Sequence, residues 1–193
     1  LPGVVAATET STLPPYGGIR SDVDIPGKPQ TEKRLALFLL CSEGYFPTLG
    51  LRLMRGRTLS SEDVIDARRV AVVNQTLVQR FFGNEDPIGQ RIKFSLLETL
   101  PDGGAVQNPI FEIIGVISDA RNQGIQEPPM PEAFIPYTLT GAFERGILVR
   151  TAGDPGALIN SGAAKLISNP AWCGEFGCYG TPSTSPRLTG FFW

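Results

Sequence analysis

The sequence predicts a mixed α/β (α+β) fold with many loops, and three observations support this prediction. Proline and glycine are frequent, at 17 and 22 of 193 residues, which disfavours an all-helical bundle. A β-branched run at residues 70–73 has the length of a strand that is covered on both faces. Paired apolar positions then predict a helix over 75–82, and alternation predicts a strand over 90–94. A strand, a helix and a second strand therefore follow one another in the middle of the chain.

Capping residues mark the ends of the predicted helices. Ser60 and Asp63 have the spacing of a capping box, and Asn74 is a typical N-cap residue. Gly50 is expected to end a short helix that begins at an aromatic pair. Asp154 followed by a proline is typical of a helix start. The predicted helices cover Tyr45–Leu49, 61–67, 75–82 and 154–168.

Short apolar or alternating runs, separated by glycine and proline, predict the remaining strands. The segment 55–57 is interpreted as a turn, and residues 96–108 as a long loop or hairpin tip. We expect the strand over 111–117 to return beside the strand over 90–94. The other predicted strands are at residues 4–7, 21–25, 35–41, 51–53, 133–137 and 147–151.

Composition excludes several functional classes. The net charge is −2 and no run of lysine or arginine occurs, which disfavours a nucleic-acid partner. The chain has no histidine, so it lacks Ser-His-Asp and Cys-His catalytic arrangements and the commonest metal ligand. Cys41, Cys173 and Cys178 do not form a metal or thioredoxin motif; a disulfide between the last two stays open for a location outside the cytoplasm. No apolar run reaches the ~18 residues that a membrane span needs.

Carboxylates are the remaining candidates for catalysis. Two adjacent pairs could supply an acid and a base, Glu62 with Asp63 and Glu85 with Asp86. The first pair fits a helix N-terminus better, and the second precedes a proline in a turn. Asp119, after the strand over 111–117, is the best placed single acid, yet no second acid or histidine lies near it in sequence. We therefore expect structural roles for all five.

Two further motifs have simple structural explanations. Gly103 and Gly104 lack the context of a phosphate-binding loop and are typical of a loop tip. Aromatic pairs among leucine, valine and isoleucine favour core packing over a stacking platform for bases or sugars. These pairs are Tyr45 with Phe46 and Phe81 with Phe82. The sequence thus predicts no catalytic residue, no metal ligand and no cofactor.

The order and spacing of several motifs over residues 44–137 carry a family resemblance. They resemble the extracytoplasmic (periplasmic) core domain of MacB-type, FtsX-like ABC transporter permeases, in particular the paralogous permeases of acidobacteria. The matching segments are Gly44-Tyr45-Phe46-Pro47-Thr48-Leu49-Gly50, Arg55-Gly56-Arg57, Val70-Ala71-Val72-Val73-Asn74, Arg80-Phe81-Phe82, Asp86-Pro87-Ile88-Gly89, Arg91-Ile92, residues 112–119 and Pro136-Tyr137.

The resemblance implies a two-lobed domain, in which a β-rich lobe is inserted into an α/β lobe similar to the porter modules of efflux pumps. It implies a non-catalytic, extracytoplasmic role in a permease of the cell inner membrane, coupling ATP hydrolysis by a cytoplasmic ATPase domain or subunit to substrate or partner engagement. A periplasmic adaptor protein and a homodimer are the further partners implied. We expect residues 1–169 to form this core domain, as a piece of a longer protein. Residues 170–193 depart from the pattern, and we expect a tail that is unstructured or non-native.

Two other hypotheses stay open at this point. A free-standing extracytoplasmic module could bind a ligand or peptide with the 101–104 loop and a strand edge. A histidine-free hydrolase could use carboxylates such as Asp119. The sequence does not name a transported substrate.

Overall fold

The computed structural model describes residues 3–13, 17–29, 33–100, 104–120, 126–140 and 146–153, together with the backbone of 188–192. The helix predicted over 154–168 and the possible disulfide between Cys173 and Cys178 lie outside these residues. Ten strands and three short helices are described. The strands are β1 Val4–Thr10, β2 Ile19–Asp24, β3 Arg34–Cys41, β4 Leu53–Gly56, β5 Val70–Asn74, β6 Arg91–Phe94, β7 Ile110–Ile117, β8 Glu132–Pro136, β9 Gly146–Thr151 and β10 Leu188–Phe192. The helices are α1 Tyr45–Leu49, α2 Ser61–Ile65 and α3 Gln75–Phe81, and 3₁₀ turns cover Ser95–Glu98 and Tyr137–Leu139.

Six strands close into a ring. Hydrogen-bonded neighbours run in the order β3, β2, β6, β7, β5, β8, and a parallel pairing of β8 with β3 joins the two ends. In that closing pairing, Leu37 lies opposite Glu132 and Leu40 opposite Ile135. Because the ring is closed, its strands leave few backbone groups without a partner.

The other four strands lie outside the ring. β1, β9 and β10 form an antiparallel ribbon that meets the ring where Thr10 pairs with Cys41 at the end of β3. β4 pairs with the second half of β7. The chain therefore starts in the ribbon, builds the ring, and returns to the ribbon. The predicted mixed α+β fold is confirmed.

Buried side chains form two clusters on opposite faces of the ring strands. One cluster takes side chains from all six ring strands and fills the ring; in it Phe94 packs between Phe38 and Phe111, with ring centroids 5.5 and 5.9 Å apart. The second cluster lies outside the ring, where Tyr45 and Phe46 of α1 pack on Phe134 of β8. Because side chains alternate across a strand, the four ring strands that contribute to both clusters (β3, β5, β7 and β8) are buried on both faces, as predicted for residues 70–73, whereas β2 and β6 bury one face only.

The three caps predicted within the described residues are present, and the fourth, at Asp154, lies outside them. Ser60 and Asp63 form the capping box of α2, and Gly50 ends α1 at φ +70°. Asn74 caps α3, since its Oδ1 accepts from the amide of Leu77 at 2.9 Å. The same buried side chain also accepts from the amide of Glu132 at 3.0 Å and donates to the carbonyl of Met130 at 2.8 Å. Asn74 thus joins α3 to the start of β8, which its sequence context did not reveal.

Several element predictions need correction, among them β1, which runs from Val4 to Thr10 rather than over 4–7. β4 covers Leu53–Gly56 rather than 51–53. Arg55 and Gly56 therefore belong to a strand and not to a turn. Pairing with β7, which is distant in sequence, sets these bounds. α2 ends at Ile65, and the expected loop over 96–108 begins inside a 3₁₀ turn. The backbone of Leu188–Phe192 forms β10 on β9, while the domain boundary at residue 169 stays a prediction.

We expect Asn74→Ala to destabilise the chain by about 2–4 kcal/mol, because it removes an N-cap and leaves the buried amide of Glu132 without an acceptor. Urea unfolding, followed by circular dichroism, measures this change. Asn84→Ala is the matched control, since Asn84 is exposed and its replacement should shift stability by less than about 0.5 kcal/mol. Equal stabilities of the two variants would contradict the linking role.

Candidate functional site

Arg57 and Asp63 form an ion pair between the end of β4 and α2. The Asp63 carboxylate is fully buried and accepts from Arg57 Nη1 at 2.5 Å and Nη2 at 3.2 Å. It also accepts from the amide and hydroxyl of Ser60 at 2.9 and 3.0 Å. Two charge-assisted bonds and two bonds from the capping box fix this carboxylate in place.

These bonds keep Asp63 ionised. The hydrogen bonds from Arg57, helped by those from Ser60, lower the pKa of Asp63 to about 2, although burial opposes them. The pKa of Arg57 is raised by its hydrogen bond with Asp63. A carboxyl group with so low a pKa has no proton to give near neutral pH, so Asp63 is not suited to act as a general acid.

The second predicted acid pair is divided between two cations. Glu85 lies 2.8 Å from Lys28 Nζ, and the hydrogen bonds from Lys28 and Gln90 lower its pKa. Asp86 pairs with Arg55 at 3.0 Å and accepts from the amide of Ile88 at 3.1 Å. Each carboxylate thus has its own partner, and the turn rather than a reaction explains both.

Asp119 also has a structural partner. Its Oδ1 accepts from the backbone amide of Thr76 at 2.9 Å, in the first turn of α3. Carboxylates stabilise helix N-termini through such bonds and through the helix dipole. The structure thus gives Asp119 a capping contact at the start of α3.

Two glycines allow β4 to lie directly on β7. Gly56 has φ +69°, and a Cβ there would come within 2.2 Å of the carbonyl oxygen of Ile114. A Cβ on Gly115 would come within 2.0 Å of the carbonyl oxygen of Arg57. No side chain fits at either position. In the Arg55-Gly56-Arg57 motif, the glycine therefore sets the backbone contact and each arginine holds a different acid.

The aromatic pairs belong to the core, as predicted. Tyr45 and Phe46 are buried in the outer cluster. Phe82 is buried too, and Lys28 Nζ lies 4.8 Å from the centre of its ring. The buried rings cannot stack on an external base or sugar. Pro101, Asp102 and Gly103 of the candidate loop lie outside the described residues.

An open groove of about 430 Å³ lies where the ribbon meets the ring. A hydrogen bond of 2.9 Å from Ser61 to Glu43 joins two of its walls. Its hydroxyls and carboxylates alternate with apolar side chains, which suits an amphipathic ligand or segment. The described lining residues are Ala7, Thr8, Glu9, Ser42, Glu43, Ser61, Val64, Ile65, Tyr137 and Ile147.

Sequence reasoning missed this groove, and its origin explains why. Its residues come from β1, the turn before α1, α2, the second 3₁₀ turn and β9, which are distant in sequence. No local motif marks such a convergence. The one signal that the sequence offered is Ile65, a large apolar residue in the helix that the capping box predicts. In the structure its side chain is exposed.

No described helix is long and apolar enough to cross a membrane. Within the same residues, no group of three or more aspartate, glutamate, cysteine or histidine side chains is placed to hold a metal ion.

Comparison with known proteins identifies the family. The model of the MacB-like periplasmic core domain matches residues 1–166 of this chain. The chain belongs to this family. The family resemblance seen in the sequence is thus confirmed, while the acidobacterial subgroup stays a prediction.

Two macrolide export ATP-binding/permease proteins named MacB are similar in sequence to this MacB-like domain. The one from Aggregatibacter actinomycetemcomitans is 33% identical over 82 residues, which cover 42% of this chain and 11% of that protein. The one from Mannheimia succiniciproducens is 29% identical over 96 residues, covering 50% of this chain and 13% of that protein. The MacB-like domain thus matches only about a tenth of the length of these relatives.

Solved structures share the fold of this MacB-like domain. The periplasmic region of MacB from Actinobacillus actinomycetemcomitans superposes with a TM-score of 0.61 at 20% identity, covering 86% of this chain and 67% of that chain. The extracellular domain of the noncanonic ABC-type transporter YknZ from Gram-positive bacteria gives 0.59 at 16% identity, covering 88% of this chain and 78% of that chain.

The Asp63 ion pair predicts a pH dependence of stability. The pKa of Asp63 is lowered from 3.8 to about 2 by folding, so its contribution is present above pH 4 and is lost as pH falls towards 2. We expect this contribution to be roughly 2 kcal/mol in the wild type and absent from Asp63→Asn. Unfolding by urea between pH 5 and pH 2 measures it.

Asp66→Asn is the matched control for Asp63→Asn. Asp66 is exposed and pairs with Arg68 at 3.0 Å, so its removal should leave the pH dependence close to that of the wild type. If the free energy of unfolding changed with pH in the same way in Asp63→Asn and in the wild type, the ion pair would not be what fixes the pKa of Asp63.

Proposed function

We propose that this chain is the non-catalytic extracytoplasmic domain of an ABC transporter permease. It couples ATP hydrolysis in a cytoplasmic ATPase domain or subunit to the engagement of a substrate or partner outside the cytoplasm. The family match over residues 1–166 is the observation that carries this proposal. In this proposal the parent protein lies in the cell inner membrane and this domain faces the periplasm. The parent forms a homodimer, and a periplasmic adaptor protein is its further partner.

The environment of the acids supports a non-catalytic role. Asp63, Asp86 and Asp119 each hold two structural elements together through a hydrogen bond or ion pair. Glu85 joins Lys28 to the turn after α3. A carboxylate that is already committed to a structural partner is a poor general acid or base.

The packing of α1 supports a coupling role. α1 lies between the ribbon and the ring: Tyr45 and Phe46 pack on Phe134 of the ring, while Arg150 of the ribbon donates to the carbonyl of Pro47 at 2.9 Å. At its start, a Cβ on Gly44 would come within 2.2 Å of the carbonyl of Ala7. Close-packed contacts of this kind transmit displacement with little loss. A movement of the ribbon is therefore passed to the ring through α1.

The reading frame of the parent gene tests the assignment first. We expect an apolar span of ~20 residues upstream of Leu1, and further spans downstream. A cleavable signal peptide with no further spans would instead identify a free-standing binding module and would overturn the proposal.

The groove offers a functional test in the parent transporter, reconstituted in proteoliposomes with its ATPase. Ile65 lines the groove and is 77% exposed, so Ile65→Trp should fold normally and obstruct it. We expect transport to fall at least about tenfold, with ATP hydrolysis within about twofold of the wild type. Transport assays and phosphate release measure the two quantities.

Val5→Trp is the matched control for Ile65→Trp. Val5 is an apolar residue that is 60% exposed, and it is not among the described residues that line the groove. Equal transport by the two variants would show that the groove takes no part in transport.

A further inference from the structure

The outer edge of β4 is an exposed strand edge. Among the strands that the structure describes, β4 pairs with β7 alone, and all four of its residues are exposed. Leu53 and Met54 are large apolar side chains that are 46% and 44% exposed. A strand with one paired edge presents unpaired amide and carbonyl groups on the other. This edge can therefore accept one more strand.

Backbone contact holds this edge in place. Gly56 and Gly115 let β4 lie against β7 without intervening side chains, and Arg57 donates its amide to the carbonyl of Ile114 at 2.9 Å. Before the strand, Arg52 accepts from the amide of Ser118 at 2.9 Å. Both ends of the strand are thus fixed, and an incoming strand would meet an edge that is already ordered.

Charge indicates which partner fits. Residues 52–57 contain three arginines and no acid. Arg57 is committed to the buried Asp63, whereas Arg55 pairs with Asp86 in an exposed ion pair that is weak enough to exchange. Arg52 makes no ion pair with any residue in the described part of the chain. Arg52 and Arg55 are thus the cations that an incoming carboxylate would meet.

A second copy of this chain fits the edge poorly. Pairing residues 52–57 with the same segment of a second copy would bring six arginines together, four of them not committed to Asp63, and like charges across a ladder are destabilising. We propose that the outer edge of β4 binds an extended, acidic segment of a partner protein by strand addition. Its main chain continues the sheet, its carboxylates meet Arg52 and Arg55, and its apolar side chains cover Leu53 and Met54. This inference does not depend on the coupling role of the parent.

Binding of a capped hexapeptide that alternates glutamate and valine tests the inference, with the chain of residues 1–193 and amide chemical shifts as the readout. We expect shifts that centre on residues 52–57 and on β7, and a Kd that rises at least about tenfold in Arg52→Glu. Arg20→Glu is the matched control: Arg20 is exposed on β2, a strand whose two edges are both paired, and its Kd should equal that of the wild type.

Two further peptides separate strand addition from simple charge attraction. The same hexapeptide with alternate amides N-methylated keeps its charge but cannot complete the ladder, so we expect it not to bind. A hexapeptide with lysine in place of glutamate should not bind either. Equal binding of the methylated and unmethylated peptides would overturn strand addition. Absence of binding by the glutamate peptide, or self-association of the chain through β4 in sedimentation, would overturn the acidic partner.

Discussion

The parallel pairing of β3 with β8 is the contact on which the rest of the structure depends. Without it the ring would open, and β3 and β8 would each expose an edge. Both clusters of buried side chains would open too, since Phe38 and Ile135 point into the ring while Leu39 and Phe134 point out of it. The pairing joins Leu37 to Glu132, so a long loop must close before it forms. The burial of two faces at once offsets this entropy.

Charged side chains join the segments that lie outside the ring to one another and to the loops between the ring strands. Arg57 and Asp63 join β4 to α2, and Arg55 and Asp86 join β4 to the turn before β6. Asn74 also joins separate segments, although it is uncharged: its buried amide side chain forms hydrogen bonds with α3, with β8 and with the segment before β8. The polar residues that the sequence brings forward as candidates for chemistry are thus used as connectors. The low pKa of Asp63 follows from this use and not from a reaction.

Local features could be predicted from the sequence, because the residues that determine them are neighbours. The capping box of Ser60 and Asp63, the Asn74 cap and the Gly50 end of α1 are of this kind. Long-range features could not be predicted: the β3–β8 pairing, the bounds of β4 and the second acceptor role of Asn74 each need a partner from a distant segment. The groove belongs to the same class, since five segments line it. The partners of the acids were also visible only in the structure, since Asp119 bonds to Thr76 and Asp86 to Arg55 across long stretches of sequence.

A closed ring cannot add a strand unless one of its own pairings breaks, so a partner that binds by strand addition must use the parts of the chain outside it. β4 and α2 are two such parts, and they are consecutive in sequence. Arg57 at the end of β4 holds the buried carboxylate of Asp63 in α2, and Ile65 at the end of α2 lines the groove. A displacement of β4 must therefore either stretch a buried, charge-assisted bond or carry α2 with it. Because breaking the bond would take its nearest cation from the buried Asp63 carboxylate, moving α2 costs less. The strand edge and the groove are thus mechanically joined through one ion pair.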